Sequence, residues 1–220
     1  MPKETFHNLP ASKQQKLVDR FLREFSIHRY DDASISAVLK DLGIAKGSFY
    51  QYFESKLALF LYLQGICGTQ KAKYVMQVKR EDFPDFWQYF RKLYEEGIQF
   101  DQQHPLMSNF LHQIIHHIHS PTIKKLYDTW LDQIMAALTA WVQHEVDLGL
   151  FRKDIAVKSM AFFLFKITTS IMEYMRLIYG LEVEENIKKG LPVYADENGA
   201  TLMKAVDEYI LLLQSTFDKQ

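Results

Sequence analysis

Between Ser34 and Lys56 the apolar positions change spacing in a way that organises the rest of the chain. Ile35, Val38, Leu39 and Leu42 recur at i, i+3, i+4 and i+7, one stripe of a helix just over two turns long with a polar opposite face. Ser34 stands where an N-cap belongs, and Gly43 is the residue that ends such a helix at low conformational cost. A second short helix follows, with Phe49 and Phe53 facing inward while Lys46, Ser48, Gln51 and Tyr52 point elsewhere. Two short helices across a glycine turn make a helix-turn-helix.

Upstream, Leu17, Val18, Phe21, Leu22 and Phe25 mark a helix after Pro10 that completes a three-helix head. Downstream the helical period continues from Lys56 to about Val78, then over an aromatic-rich helix carrying Phe86, Trp87 and Phe90 that ends at His104-Pro105. Further helices run from Leu106 to Ile118, from Pro121 to about Leu148, from Ile155 (with Asp154 as its cap) to about Tyr179, and from Ala200 to Phe217. Gly180 to Gly199 reads as a long loop with one helical turn. No strand-length alternation and no internal repeat is visible. The pattern predicts an all-α protein of about nine helices, a DNA-binding head over 1–56 and a larger helical body over 57–220.

Composition changes this picture little. Of 220 residues, 48% are hydrophobic and 24% charged, the balance of a folded chain. The net charge of −1 hides an asymmetry: residues 1–56 carry nine Lys/Arg against seven Asp/Glu, whereas the remainder carries seventeen against twenty. A slightly basic head on an acidic body has the right sign for DNA at one end and another partner at the other. The single cysteine, Cys67, excludes an intrachain disulfide, and the first fifteen residues lack the apolar core of a secretory signal. The longest apolar run, Met160 to Met175, is too short and too polar to span a bilayer, so a cytoplasmic location is expected.

The string GIAKGSFYQYFESK closely resembles the recognition-helix signature of the TetR family of one-component bacterial regulators. Gly43, Ile44, Gly47, Tyr50, Tyr52, Phe53 and Lys56 fall in register with it, and the likeness reaches back through Lys13 to Tyr30. Two positions depart from the pattern: Ala45 stands where a capping Ser or Thr is usual, and Arg29 where Gly usually ends the first helix. The resemblance implies a three-helix head, a helical ligand-binding body and a homodimer joined through the last two helices as a four-helix bundle. It also implies a pseudo-palindromic operator, since a two-fold dimer sets its recognition helices one DNA turn apart.

Lys46, Gly47, Ser48 and Gln51, with Ser36 nearby, are the candidates for base-edge contact, because lysine donates to guanine, glutamine pairs with adenine and glycine permits close approach. Tyr50, Tyr52 and Lys56 are better placed for phosphates, and Ser34 joins this DNA-facing set. In the body, Trp87, Phe90, Tyr94, Phe110, Trp130 and Phe165, with Thr169 and Glu173 as polar groups, are candidates for enclosing a hydrophobic or aromatic effector. Their spacing fits plain core equally.

His112, His116, His117 and His119 invite a metal reading, with His112 and His116 sharing a face at i, i+4. No carboxylate or thiolate support accompanies them, so neither a metal nor another cofactor is expected. The preferred function is a ligand-responsive transcriptional regulator, most simply a repressor, with no enzymatic activity. The alternatives are a helical-bundle metal protein or enzyme built on the histidines, and an effector-independent architectural DNA binder.

Overall fold

The computed structural model describes residues 1–194 and 196–219. Among them are eleven α-helices, two 3-10 turns and no strand; the only β pairing is two isolated bridges. The helices are α1 (Glu4–His7), α2 (Ala11–Ile27), α3 (Ile35–Asp41), α4 (Ser48–Tyr52), α5 (Lys56–Val75), α6 (Phe86–Gln103), α7 (Pro105–Gln113), α8 (Pro121–Asp147), α9 (Val157–Tyr179), α10 (Glu184–Lys189) and α11 (Asp196–Phe217). The count exceeds nine because α1 and α10 are single turns whose length gives no usable period. The all-α class is as the pattern predicts.

Two compact units divide the chain. The first comprises Met1–Tyr74, Phe100–Ile123 and Val183–Val193. Its core is the apolar face of α2, where Leu17, Phe21, Leu22 and Phe25 are buried together with Val38 and Leu39 of α3 and Phe49 of α4. Rings tile this core: Phe21 meets Phe49 at 6.3 Å between centroids, Phe25 meets Phe60 at 5.4 Å, and Phe60 meets Phe110 of α7 at 5.3 Å. Offset and edge-on contacts at these separations add to the burial of the rings. Helix α10 closes against α2 through Gly190, whose left-handed φ of 70° ends α10 and where a Cβ would stand 2.9 Å from the Arg23 guanidinium.

The second unit comprises Val75–Gln99, Lys124–Glu182 and Tyr194–Gln220. Phe86 and Trp87 of α6, Phe151 and Phe217 form an aromatic knot with centroid separations of 5.4 Å (Phe86–Phe151), 5.8 Å (Trp87–Phe217) and 5.6 Å (Phe151–Phe217). The Trp87 indole N–H donates to Asp218 at 2.7 Å, giving this buried ring's polar edge a partner. Helices α9 and α11 pack together, with Tyr174 donating to Glu208 at 2.7 Å.

One expected cap is absent. Asp154 does not start α9; the helix begins after Ala156, which offers no side-chain cap, because the Arg152 guanidinium takes both Asp154 carboxylate oxygens at 2.7 and 2.6 Å. The last helix starts at Asp196, earlier than Ala200, and runs through Gly199.

Candidate nucleic-acid interface

The interface is built by local rules. Ser34 is extended and its hydroxyl accepts from the Ala37 backbone N–H at 3.2 Å, satisfying one open donor of α3. The Ser34 N–H itself donates to Glu24 on α2 at 2.7 Å, and Arg20 pairs with Asp41, so both ends of α3 are tied to α2. At the C-terminus, Gly43 takes φ 66°, and the Ile44 N–H reaches back to the Leu39 carbonyl at 2.8 Å. That six-to-one bond needs a left-handed residue, which glycine supplies without strain.

Helix α4 starts without a side-chain cap, as Ala45 in place of Ser or Thr implies. Arg29 costs nothing, because α2 ends through an extended His28 and no non-glycine residue has a positive φ. The inward pair Phe49 and Phe53 is buried. On the outer side Ser36, Lys46, Gly47, Tyr50 and Gln51 are exposed and Ser48 is half-buried. The structure thus brings the exposed set onto one face of the α3–turn–α4 hairpin.

Tyr52 and Lys56 are placed differently from the sequence expectation. Tyr52 is only 8% exposed, its ring 6.3 Å from Phe6, because the N-terminal segment folds over it. The half-buried Lys56 donates to the backbone carbonyls of Asp31 (3.1 Å) and Ala33 (2.6 Å) and lies 5.0 Å over the Tyr30 ring. Burial lowers its pKa, against the opposing pull of Asp31, Asp32 and Glu24. Its ammonium therefore fastens the turn that precedes α3.

The element that sequence reasoning missed is α1. A five-residue helix leaves its last carbonyls open, and here the N-terminal segment supplies donors to three of them. The Lys3 ammonium donates to Tyr50 O at 2.8 Å, the Thr5 hydroxyl donates to Gln51 O, and the Lys3 N–H donates to Tyr52 O at 2.8 Å. A Pro2–Phe53 bridge extends the contact, and Phe6 is wholly buried against Tyr52, Phe53 and Tyr62. The only sequence signal was Phe6, a lone large apolar side chain in a polar tail.

The expected effector residues are dispersed. Trp87, Phe90 and Phe165 are buried in the second unit, and Tyr94 and Trp130 are half-buried there. Burial, followed by proximity to Tyr209, raises the Tyr94 phenol pKa. Thr169 is exposed with its hydroxyl returned to the Phe165 carbonyl at 2.9 Å, and Glu173 is exposed. Phe110 belongs to the first unit. Of the histidines, His117 packs 5.1 Å from Phe60, His119 is exposed, and the His116 side chain lies outside the described residues. Among the described residues no group of three or more His, Cys, Asp or Glu could hold a metal ion, and no helix is long and apolar enough to cross a membrane.

Residues 17–63 match the family of bacterial regulatory proteins described as the tetR family. The chain is 29% identical over 157 residues, 70% of its own length and 77% of the relative's, to the uncharacterised HTH-type transcriptional regulator YvdT of Bacillus subtilis (strain 168). A second B. subtilis HTH-type regulator, YdgC, also uncharacterised, is 38% identical over 53 residues, 24% of this chain and 27% of that one. Among solved structures, a TetR family transcriptional regulator from Chloroflexus aurantiacus J-10-FL superimposes with a TM-score of 0.79 at 26% identity, covering 100% of both chains.

Proposed function

The chain belongs to the TetR family of DNA-binding transcriptional regulators, and from that premise we propose that it is a homodimeric repressor released from a pseudo-palindromic operator by a small organic effector. The observation that carries this reading is the outer face of the α3–turn–α4 hairpin. There Ser36, Lys46, Gly47 and Gln51 stand exposed on a scaffold capped at both ends of α3, offering donors and acceptors of the kind that read a major groove. Tyr50, also exposed, and the third ammonium proton of Lys56 are the phosphate-facing groups, with Ser34 and Ser48 flanking them.

In functional terms residues 1–56 contact DNA and residues 57–220 hold the effector and the partner subunit. Phe162 and Phe163 on α9, with Leu211 (67% exposed) and Leu212 (65% exposed) on α11, form an apolar surface too extensive to stay wet, which supports a dimer through the last two helices. The aromatic residues Trp87, Phe90, Tyr94, Phe110, Trp130 and Phe165, with Thr169 and Glu173, remain the candidates for contacts to the effector's apolar body. Release of the operator needs a coupling free energy of only about 1–3 kcal/mol between the two sites.

The test is fluorescence-anisotropy titration of duplex DNA from immediately upstream of the protein's own gene, against a scrambled duplex, at several salt concentrations. Binding of the upstream duplex alone, at one or two dimers per site, is the expected result. Equal, steeply salt-dependent binding of both duplexes leaves only phosphate attraction and overturns the reading at that DNA.

A further inference from the structure

Three polar side chains of the first unit are drawn together from separate helices: Lys71 of α5, Asp101 near the end of α6 and His112 of α7. Their surroundings are interior. Cys67, one turn before Lys71, is fully buried, as are Phe100 beside Asp101 and Phe110 beside His112. Asp101 is itself buried and accepts from the Val193 N–H at 3.2 Å.

Lys71 nonetheless retains an exposed surface. Its ammonium is also the group that burial disturbs: loss of hydration lowers its pKa, only partly offset by Asp101. The same loss, with the Lys71 charge added, lowers His112 to about 3, so this imidazole is neutral at pH 7. A side chain that is enclosed by protein and still accessible faces an internal cavity. Gly68, one turn earlier on the same face of α5, agrees, since the space where its Cβ would stand is open.

Among the described residues Lys71 makes no hydrogen bond or contact ion pair; Asp101 acts on it only at longer range. An ammonium with three donors and no acceptor is unstable away from bulk water unless something brings one. We infer that Lys71 is the anion-recognising group of an enclosed site between α5, α6 and α7 that takes an organic monocarboxylate. The single cation decides the charge of the occupant. With His112 neutral and Asp101 negative, a phosphate dianion would lack the countercharge it needs, whereas one carboxylate satisfies one ammonium through a charge-assisted hydrogen bond. The buried aromatic neighbours Phe100 and Phe110 favour an acid with an apolar body over acetate.

That the occupant also acts as effector rests on the regulatory reading above; its binding does not. The test is isothermal titration of the full chain at pH 7.5 with octanoate, decanoate, benzoate and phenylacetate, each beside its neutral amide. At least one acid is expected to bind saturably, with its amide about tenfold weaker or more. Lys71→Met should weaken the acid by a similar factor, the range for a hydrogen bond to a charged group, and leave the amide unchanged. Because Lys71→Met removes an uncompensated ammonium, the free variant should melt no lower than the parent, which separates lost binding from lost folding.

Equal binding of acid and amide, full binding by Lys71→Met, or no binding by any of the four acids would overturn the site. A carboxylate that binds through Lys71 but fails to release a bound upstream duplex would instead leave the site standing and remove its role as effector site.

Discussion

The backbone N–H of Lys3 donates to the carbonyl of Tyr52 at 2.8 Å, joining the N-terminal segment to the last residue of the recognition helix. Helix α4 is only five residues long, well below the length at which a helix sustains itself in water. Its geometry therefore comes from what packs on it. Phe49 and Phe53 hold it from the inside, and Lys3, Thr5 and Phe6 hold its C-terminal end.

Phe6→Ala should accordingly loosen α4 without touching a DNA-facing group. Removing a fully buried phenylalanine costs about 3–5 kcal/mol when nothing collapses into the space, and here the loss falls on the contact between α1 and Tyr52, Phe53 and Tyr62. The expected outcome is faster hydrogen exchange of the amides in 48–53 and weaker binding of specific and scrambled duplexes alike. Unchanged exchange there would show that α4 holds its shape without the segment.

Lys46 and Gln51 should separate from Lys56 in their effects. Lys46→Ala and Gln51→Ala each remove an exposed group from the outer face and should cost about 1–3 kcal/mol of specific affinity while relaxing base preference at one position. Lys56→Met breaks the bonds to Asp31 and Ala33 carbonyls, so it should lower thermal stability as well as affinity. Melting curves run beside anisotropy titrations with single-base variants of the duplex distinguish the two patterns.

What the sequence revealed of this site follows the range of the interactions involved. Ser34 as a cap, Gly43 as a stop and Phe49 with Phe53 as the inward pair are set by neighbours within four residues, so spacing alone identifies them. Tyr52 was read as outward because its cover, Phe6, lies 46 residues away in sequence on a helix of four residues with no period to detect. Asp154 had the right type and position for a cap, yet an arginine two residues earlier competes for its carboxylate. Lys71, Asp101 and His112 carry no local motif; only the packing of three helices brings them together.

In the second unit the Arg80 guanidinium holds the Glu145 carboxylate with two bonds, 2.7 and 2.8 Å, and Glu145 is 1% exposed. Arg80→Met would leave that carboxylate buried and unpaired, at a cost of about 3–5 kcal/mol. Replacing both residues by methionine removes the stranded charge and should recover much of the loss. Denaturant melts of the parent, Arg80→Met and the double variant test this; a double variant no better than the single one would mean that the pair itself, and not the avoided charge, supplies the stability.

His112 makes stability depend on pH in a defined direction. Its folded pKa lies near 3 against an ordinary value of 6.5, through burial first and the Lys71 charge second. Between those values the unfolded chain binds a proton that the folded chain does not, so stability falls as pH drops below 6.5. From pH 7.5 to 5.5 the loss from this group is on the order of 1 kcal/mol. His112→Gln should melt with a visibly flatter pH dependence over that interval, and an identical slope in both proteins would assign the effect to other histidines.

The apolar faces of α9 and α11 set the last expectation. Phe162 (53% exposed) and Leu212 (65% exposed) contribute little to the core of one chain, so changing them to glutamate should spare its fold while placing charge where a second subunit would pack. Phe162→Glu with Leu212→Glu should therefore give a helical monomer by sedimentation and circular dichroism. The monomer should keep weak, salt-sensitive attraction to DNA yet lose tight operator binding, because a half-site engages one head alone and the second head no longer adds its effective concentration. If the double variant still sediments as a dimer, the subunits meet through another surface. A monomer that bound the operator as tightly as the parent would break the link between dimerisation and recognition, leaving α4 and its N-terminal clamp as the whole of the binding machinery.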